Sequence, residues 1–254
     1  MMHVRHYVLL ALALAGLSLG LLGCSSSGSS TPSGTVTINT PAARLLVNSW
    51  GMFTAKTTGL TDSTVSWAME PPGFGAVTHV RDSQWIANNL VLIKMPHTAG
   101  THTLIATSSQ TSSVTASIPV TIVNAWTPAT AFDNYNSGAS TGLAPTSTTT
   151  FTLAGPTNIV KIAVFHTSAT LPTGTVTLSD GATTYGPYQT TPMFEVVNEG
   201  TPTEDYQIDP TEWDVLLNLT LPAGTYTISS STPATWKNNA DSGFKGMATV
   251  TSAT

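Results

Sequence analysis

Apolar and polar residues alternate with a period of two along most of this chain. That alternation predicts strands that present one face to a core and one to water. In the first half the strand candidates are 35–38 (TVTI), 52–58 (MFTAKTT), 64–69 (TVSWAM, around Trp67), 101–108 (THTLIATS) and 114–123 (VTASIPVTIV). Residues 90–94 (LVLIK) form a continuous apolar run instead. Gly, Pro, Asn and Asp fall between these stretches, and strands so spaced predict a β-sandwich. The rhythm restarts at Phe132, with candidates at 150–153, 159–167, 174–180, 214–221, 224–230 and 246–252. The stretch 179–186 (SDGATTYG) carries Asp-Gly, a strong hairpin signal. Pro222 and Gly224 mark a second turn in LPAG. Roughly eight strands in about 120 residues predict a jelly-roll-like second sandwich. The fold class expected is therefore all-β, with two β-sandwich domains in tandem.

The N-terminus breaks the pattern. Arg5 precedes an apolar run from Tyr7 to Leu22, which ends at Gly23-Cys24. The run is short for a membrane span and suits the apolar region of a signal peptide. Its end, LLGC, resembles the lipobox of bacterial lipoproteins. That resemblance implies that residues 1–23 are removed and that Cys24 is acylated on its sulfur and its amine. Several acyl chains, at about 0.8 kcal/mol per buried methylene, give a lasting anchor. Cys24 is the only cysteine, so the secreted chain has no disulfide. Ser25 follows it, which in proteobacterial lipoproteins points to the outer membrane. Residues 24–34, rich in Ser and Gly, read as a flexible tether.

Charge is sparse, with Asp, Glu, Lys and Arg at 8% and a net charge of −5. Lys and Arg are scattered singly, so the electrostatic footprint of nucleic-acid binding is missing.

Two further resemblances extend the domain reading. Residues 35–123, from VTINTPAARLLVNSWGMFTAKTTGLTDSTVSWAMEPP through PHTAGTHTLIATS to ASIPVTIV, look like a bacterial Ig-like domain. The likeness implies a buried Trp67 on the central strand. His102 stands where that family has a tyrosine. Residues 124–131 read as a junction and 132–254 as the second module. That module resembles a recurrent C-terminal domain of bacterial secreted proteins with no assigned activity. The resemblance rests on FDNYN (132–136), FTLAGPTNIVKI (151–162), YGPYQ (185–189) and LPAGTYTISSSTPATWKNNADSGFKGM (221–247). The two modules share a phrase, TAGTHTLIATS in the first and PAGTYTISSS in the second.

Candidate chemistry is thin. No nucleophile elbow, zinc-protease helix motif or phosphate loop is present, and no catalytic activity is expected. More than half of the 13 acidic residues crowd into one stretch: Glu195, Glu199, Glu204, Asp205, Asp209, Glu212 and Asp214. This stretch reads as a solvated loop between strands. It also suits a structural calcium ion on Glu204, Asp205 and Asp209, or a pair of catalytic carboxylates. No other cofactor is expected. A second cluster combines aromatics with amides. The best ligand set is Trp236, Asn238, Asn239 and Asp241, joined by Tyr185, Tyr188, Trp213, Asn134 and His166. Aromatic faces beside amide and carboxylate groups suit a sugar, which has an apolar face and a polar rim. The competing reading is that the two Trp residues cover the core, with their indole N–H groups bonded locally.

The chain is thus expected to be a non-catalytic, lipid-anchored protein of the cell envelope. Its first sandwich would act as a spacer, and its second would present a surface to a protein or polysaccharide partner. The alternatives are a calcium-dependent carbohydrate-binding module, a hydrolase using the acidic stretch, or a subunit of a surface assembly pairing through open sheet edges.

Overall fold

The computed structural model describes residues 34–72, 77–79, 89–136, 142–167, 174–197 and 205–253. Cys24, the signal-like run and nearly all of the tether lie outside them. Alternating β-branched and apolar residues build the first sandwich from nine strands. They are β1 (Thr35–Ile38), β2 (Ala43–Leu46), β3 (Trp50–Phe53), β4 (Ala55–Thr58), β5 (Val65–Glu70), β6 (Val77–His79), β7 (Val91–Lys94), β8 (Gly100–Ser108) and β9 (Thr115–Val123). One sheet has the order β2-β9-β8-β5, with β2 parallel to β9. The other pairs β3-β7-β6, and β4 continues β3 past Thr54 to pair with β1. That division of strands between two layers is the immunoglobulin arrangement. Leu45, Phe53, Met69, Ile93, Leu104 and Val120 fill the space between the layers. Trp67 is half-buried rather than enclosed, because β5 is the edge of its sheet.

The second sandwich begins with β10 (Pro128–Asp133), inside the stretch expected as a junction. It continues with β11 (Gly142–Leu143), β12 (Thr149–Leu153), β13 (Thr157–Phe165), β14 (Thr175–Ser179) and β15 (Thr184–Gln189). Then follow β16 (Thr191–Val197), β17 (Asp205–Leu221), β18 (Gly224–Ser230), β19 (Lys237–Asn238) and β20 (Ala248–Ala253). Its two main sheets have the orders β10-β20-β13-β17-β16 and β12-β18-β14-β15, all antiparallel. The chain steps back and forth between them, which makes this a jelly roll. Phe151, Ile162, Leu178, Val215, Leu217 and Tyr226 form its core.

The phrase shared by the two sandwiches has different physics in each. Tyr226 is buried and its hydroxyl donates to the Pro222 carbonyl, 2.9 Å away, which ties the strand start to the preceding turn. This is the tyrosine-corner device. His102 holds the matching place in the first sandwich, buried, with its Nδ1 unpartnered. An imidazole is too short to return to the turn as the phenol does.

The acidic stretch is not a solvated loop where it is described. Thr191–Val197 pairs antiparallel with β17, from Thr191↔Asp214 to Val197↔Asp205, with a break in register between Pro192 and Met193, so β16 and β17 form a hairpin arm. Two apolar residues among the carboxylates explain this. Phe194 and Ile208 pack against Met52, Leu90 and Leu92 of the first sandwich. The continuous apolar run at 90–94 follows from the same contact. Val91 and Ile93 face the sandwich core, and Leu90 and Leu92 face the arm. A strand buried on both faces loses its polar alternation.

A second contact joins the sandwiches. Leu216 turns away from the jelly-roll core and packs on the core of the first sandwich. Beside it the Thr40 hydroxyl donates to the Leu216 carbonyl at 2.6 Å, and the Asn218 amide donates to the Thr121 hydroxyl at 3.2 Å. Contacts group residues 32–254 as one unit. Leu216→Ala is therefore expected to lower the unfolding free energy by about 1–2 kcal/mol, the apolar transfer of a partly buried Leu. Urea denaturation of residues 25–254 checks this. An unchanged midpoint would mean that the sandwiches are not energetically joined there.

Candidate functional site

Three segments of the second sandwich are tied together: 132–136 at the end of β10, 142–149 around β11, and 231–247 between β18 and β20. Asn134 bonds backbone on both sides of Met247. Its amide donates to the Gly246 carbonyl at 3.1 Å, and its oxygen accepts the Ala248 N–H at 2.8 Å. Gly142 and Leu143 pair with Asn238 and Lys237. The N–H groups of Thr146 and Ser147 both donate to the Phe244 carbonyl, each at 3.1 Å. The Asn136 amide donates to the Asp241 carboxylate at 3.0 Å.

Local sequence explains the third segment. Pro233 opens a single 3-10 turn, Pro233–Thr235, because its fixed φ suits a first helical turn. Trp236 then leaves the turn extended and buries its indole. The indole N–H donates to the Met247 carbonyl at 2.8 Å. Gly246 lies against the ring so closely that a Cβ there would stand 2.2 Å from Trp236 Cε2. Only glycine fits that approach. The tip is closed by Asn239, whose side-chain oxygen accepts the Ser242 N–H at 2.8 Å and whose carbonyl accepts the Phe244 N–H at 2.8 Å.

His166 sits at the centre of this packing, fully buried. Its ring stacks on Trp213 with centroids 3.6 Å apart and lies 6.5 Å from the Trp236 ring. Nδ1 is 2.9 Å from the Thr235 hydroxyl, which also lies 3.3 Å from the Thr232 carbonyl. Nε2 is buried, with no partner among the described residues. Burial, with a smaller push from the Lys237 charge, lowers the pKa of His166 to about 4. The ring is a neutral packing group.

The rest of the expected ligand set divides into covered and open groups. Trp213, Tyr188, Trp236, Asn238 and Asn239 are all buried. The Trp213 N–H donates to the Pro210 carbonyl at 2.8 Å. Their rings present no open face to a ligand, because each completes the core. Tyr185 packs half-buried on the same core. Asp241 is exposed, and Asn134 is spent on backbone. The side-chain Nδ2 groups of Asn238 and Asn239 are buried and unpartnered. Of the calcium set, Glu204 and the Asp205 side chain lie outside the described residues, and Asp209 accepts both the N–H and the hydroxyl of Thr211 at 2.7 Å. Among the described residues no three acidic, His or Cys side chains stand together as metal ligands would.

Two other groups belong to the description. Lys161 bonds Asp214 at 2.8 Å and Glu212 at 3.2 Å on the outer face of β13 and β17. Burial pushes the Asp214 carboxyl up to about 7, against the pull of Lys161. Burial alone would lower the Lys161 ammonium, but Asp214 and Glu212 outweigh it and hold it raised. An open groove of about 300 Å³ runs between residues 145–149 and 227–230, with Pro233 and Trp236 also lining it. Hydroxyl and apolar groups line it, with no ionisable side chain. Sequence reasoning missed Leu143 and Phe244, which stand exposed on the tied segments. A large apolar residue directly after the turn formers Ser242-Gly243 was the available signal for Phe244.

No protein-family model matches the chain, and no curated protein does. Among solved structures it is similar to a chimeric titin Z1Z2 functionalized with a KLER exogenous peptide from decorin. Identity there is 15% over 85% of this chain and 93% of that one, with a TM-score of 0.23. It is also similar to the I-band fragment I67-I69 from titin, at 15% identity over 87% of this chain and 64% of that one, TM-score 0.23. At that score the likeness says nothing of function, and the fold assignment rests on the strand order.

Two predictions follow from the packing around Trp236. Trp236→Ala is expected to destabilise the chain by about 3–5 kcal/mol, as for other buried aromatics, read from urea unfolding. The folded pKa of His166, about 4, lies below its ordinary value of 6.5, so its contribution is fully present above pH 6.5 and is lost as pH falls toward 4. The difference in stability between wild type and His166→Gln should shrink over that interval. A constant difference from pH 7 to 4 would refute a buried neutral ring.

Proposed function

We propose that this is a non-catalytic, lipid-anchored cell-envelope protein whose immunoglobulin-like sandwich carries a jelly-roll binding module away from the membrane. The observation that supports it is where the perturbed ionisable groups stand. His166 is sealed between Trp213 and Thr235, and Asp214 is locked to Lys161. The open groove is lined by hydroxyl and apolar groups. Acid–base catalysis needs a titratable group within reach of a bound substrate, whereas recognition of a polar, uncharged surface needs hydroxyls, amides and apolar faces. The partner in this reading is an envelope protein or a polysaccharide. Anchoring rests on the LLGC stretch and Cys24.

Cys24→Ser is expected to move the protein from the membrane to the soluble fraction and to abolish metabolic labelling by palmitate. A variant that stays membrane-bound and labelled overturns the anchor. Cross-linking of the anchored protein in intact cells, together with a glycan array probed by the mature chain, tests the binding role. Capture of no partner by either method sinks it.

A further inference from the structure

The large apolar side chains exposed among the described residues are Tyr135, Leu143 and Phe244, at 44%, 51% and 52%. All three stand on the tied segments. Single exposed apolar residues are ordinary, but several on one set of bonded loops mark an interaction surface.

Phe244 makes the case most directly. Its φ is +58°, a conformation that disfavours bulky residues. Three hydrogen bonds hold its backbone there: its N–H to Asn239, and its carbonyl from Thr146 and Ser147. The benzyl group itself is exposed. Gly or Asn would relieve the backbone at that position, so the fold gives no reason for a phenylalanine there. Strain of this kind at an exposed site points to use of the side chain. Tyr135 is also fixed in place. One face stacks on Phe165 with centroids 4.1 Å apart, and Phe165 packs in turn with Ala163 and Met247. On the same segments the half-buried Asn136 pairs with the exposed Asp241. The charges of the three loops cancel, with Asp133 and Asp241 against Lys237 and Lys245. A surface without net field does not select an anionic membrane or a charged polymer.

We infer that this loop surface binds a neutral polysaccharide. Sugar rings lie on Tyr135 and against Leu143 and Phe244, and their hydroxyls bond to the Asn136–Asp241 pair. The inference rests on reading the jelly roll as the binding module and names its ligand class. The test is native electrophoresis of the mature chain in gels containing laminarin, mannan or xyloglucan, with alginate and phosphatidylglycerol vesicles as charged comparisons. Retardation by at least one neutral polysaccharide is expected. Phe244→Asn and Tyr135→Ala should each weaken it tenfold or more. Tyr135→Ala can loosen the Phe165 packing, but Asn tolerates the Phe244 backbone, so Phe244→Asn should keep the wild-type melting midpoint. Retardation untouched by both variants would overturn this site and leave the binding-module reading standing. A wild-type chain held only by alginate or vesicles, or by none of the probes, would overturn the neutral-glycan assignment. The in-cell cross-linking then decides the broader reading separately.

Discussion

The structure turns on the burial of β17 along both faces. One face of this long strand supplies Trp213, Val215 and Leu217 to the jelly-roll core. The other sets Leu216 onto the first sandwich, with Asn218 beside it, and carries Ile208 to Met52 and Leu92. The only cysteine is Cys24, ahead of both sandwiches, so no disulfide braces either one. Apolar area removed from water must then supply most of the stabilisation, at roughly 25 cal/mol per Å². A strand that feeds two cores at once couples them without any covalent link.

The same economy shapes the loop end of the jelly roll. Three loops with little regular structure are held by amide-to-backbone bonds from Asn134 and Asn239 and by the Trp236 indole on Met247. Each bond is worth only about 1 kcal/mol net, but a buried donor left unmade would cost more. Trp236, His166 and Trp213 fill the space beneath. Tyr135 stacks on Phe165, and three backbone hydrogen bonds hold Phe244, so both exposed rings stand on bonded segments. Groups held in place lose little conformational entropy in any contact they make.

Much of this was legible in the residues themselves. The period-two alternation located most strands, and β18 lies at 224–230 as read from its pattern. The Asp-Gly turn marked the β14–β15 hairpin. The acidic stretch was misread because carboxylates dominate its composition, while Phe194, Ile208 and Trp213 set it into strands packed on the two cores. The aromatic set was found as residues but not as a surface. The Trp rings that stand out by composition are buried, while the large apolar side chains exposed among the described residues are Tyr135, Leu143 and Phe244.

What the sequence determined by itself was an all-β chain of two sandwiches, because alternation and turn residues act over a few neighbouring positions. What only the tertiary structure decided was which of two faces each strand buries and against what. Leu92 and Leu216 leave their own cores to meet the other half of the chain, and Trp236 turns inward while Phe244 stays out. The choices at Leu92 and Leu216 depend on contacts with residues more than a hundred positions away, those at Trp236 and Phe244 on segments tens of positions away, and no local pattern encodes them.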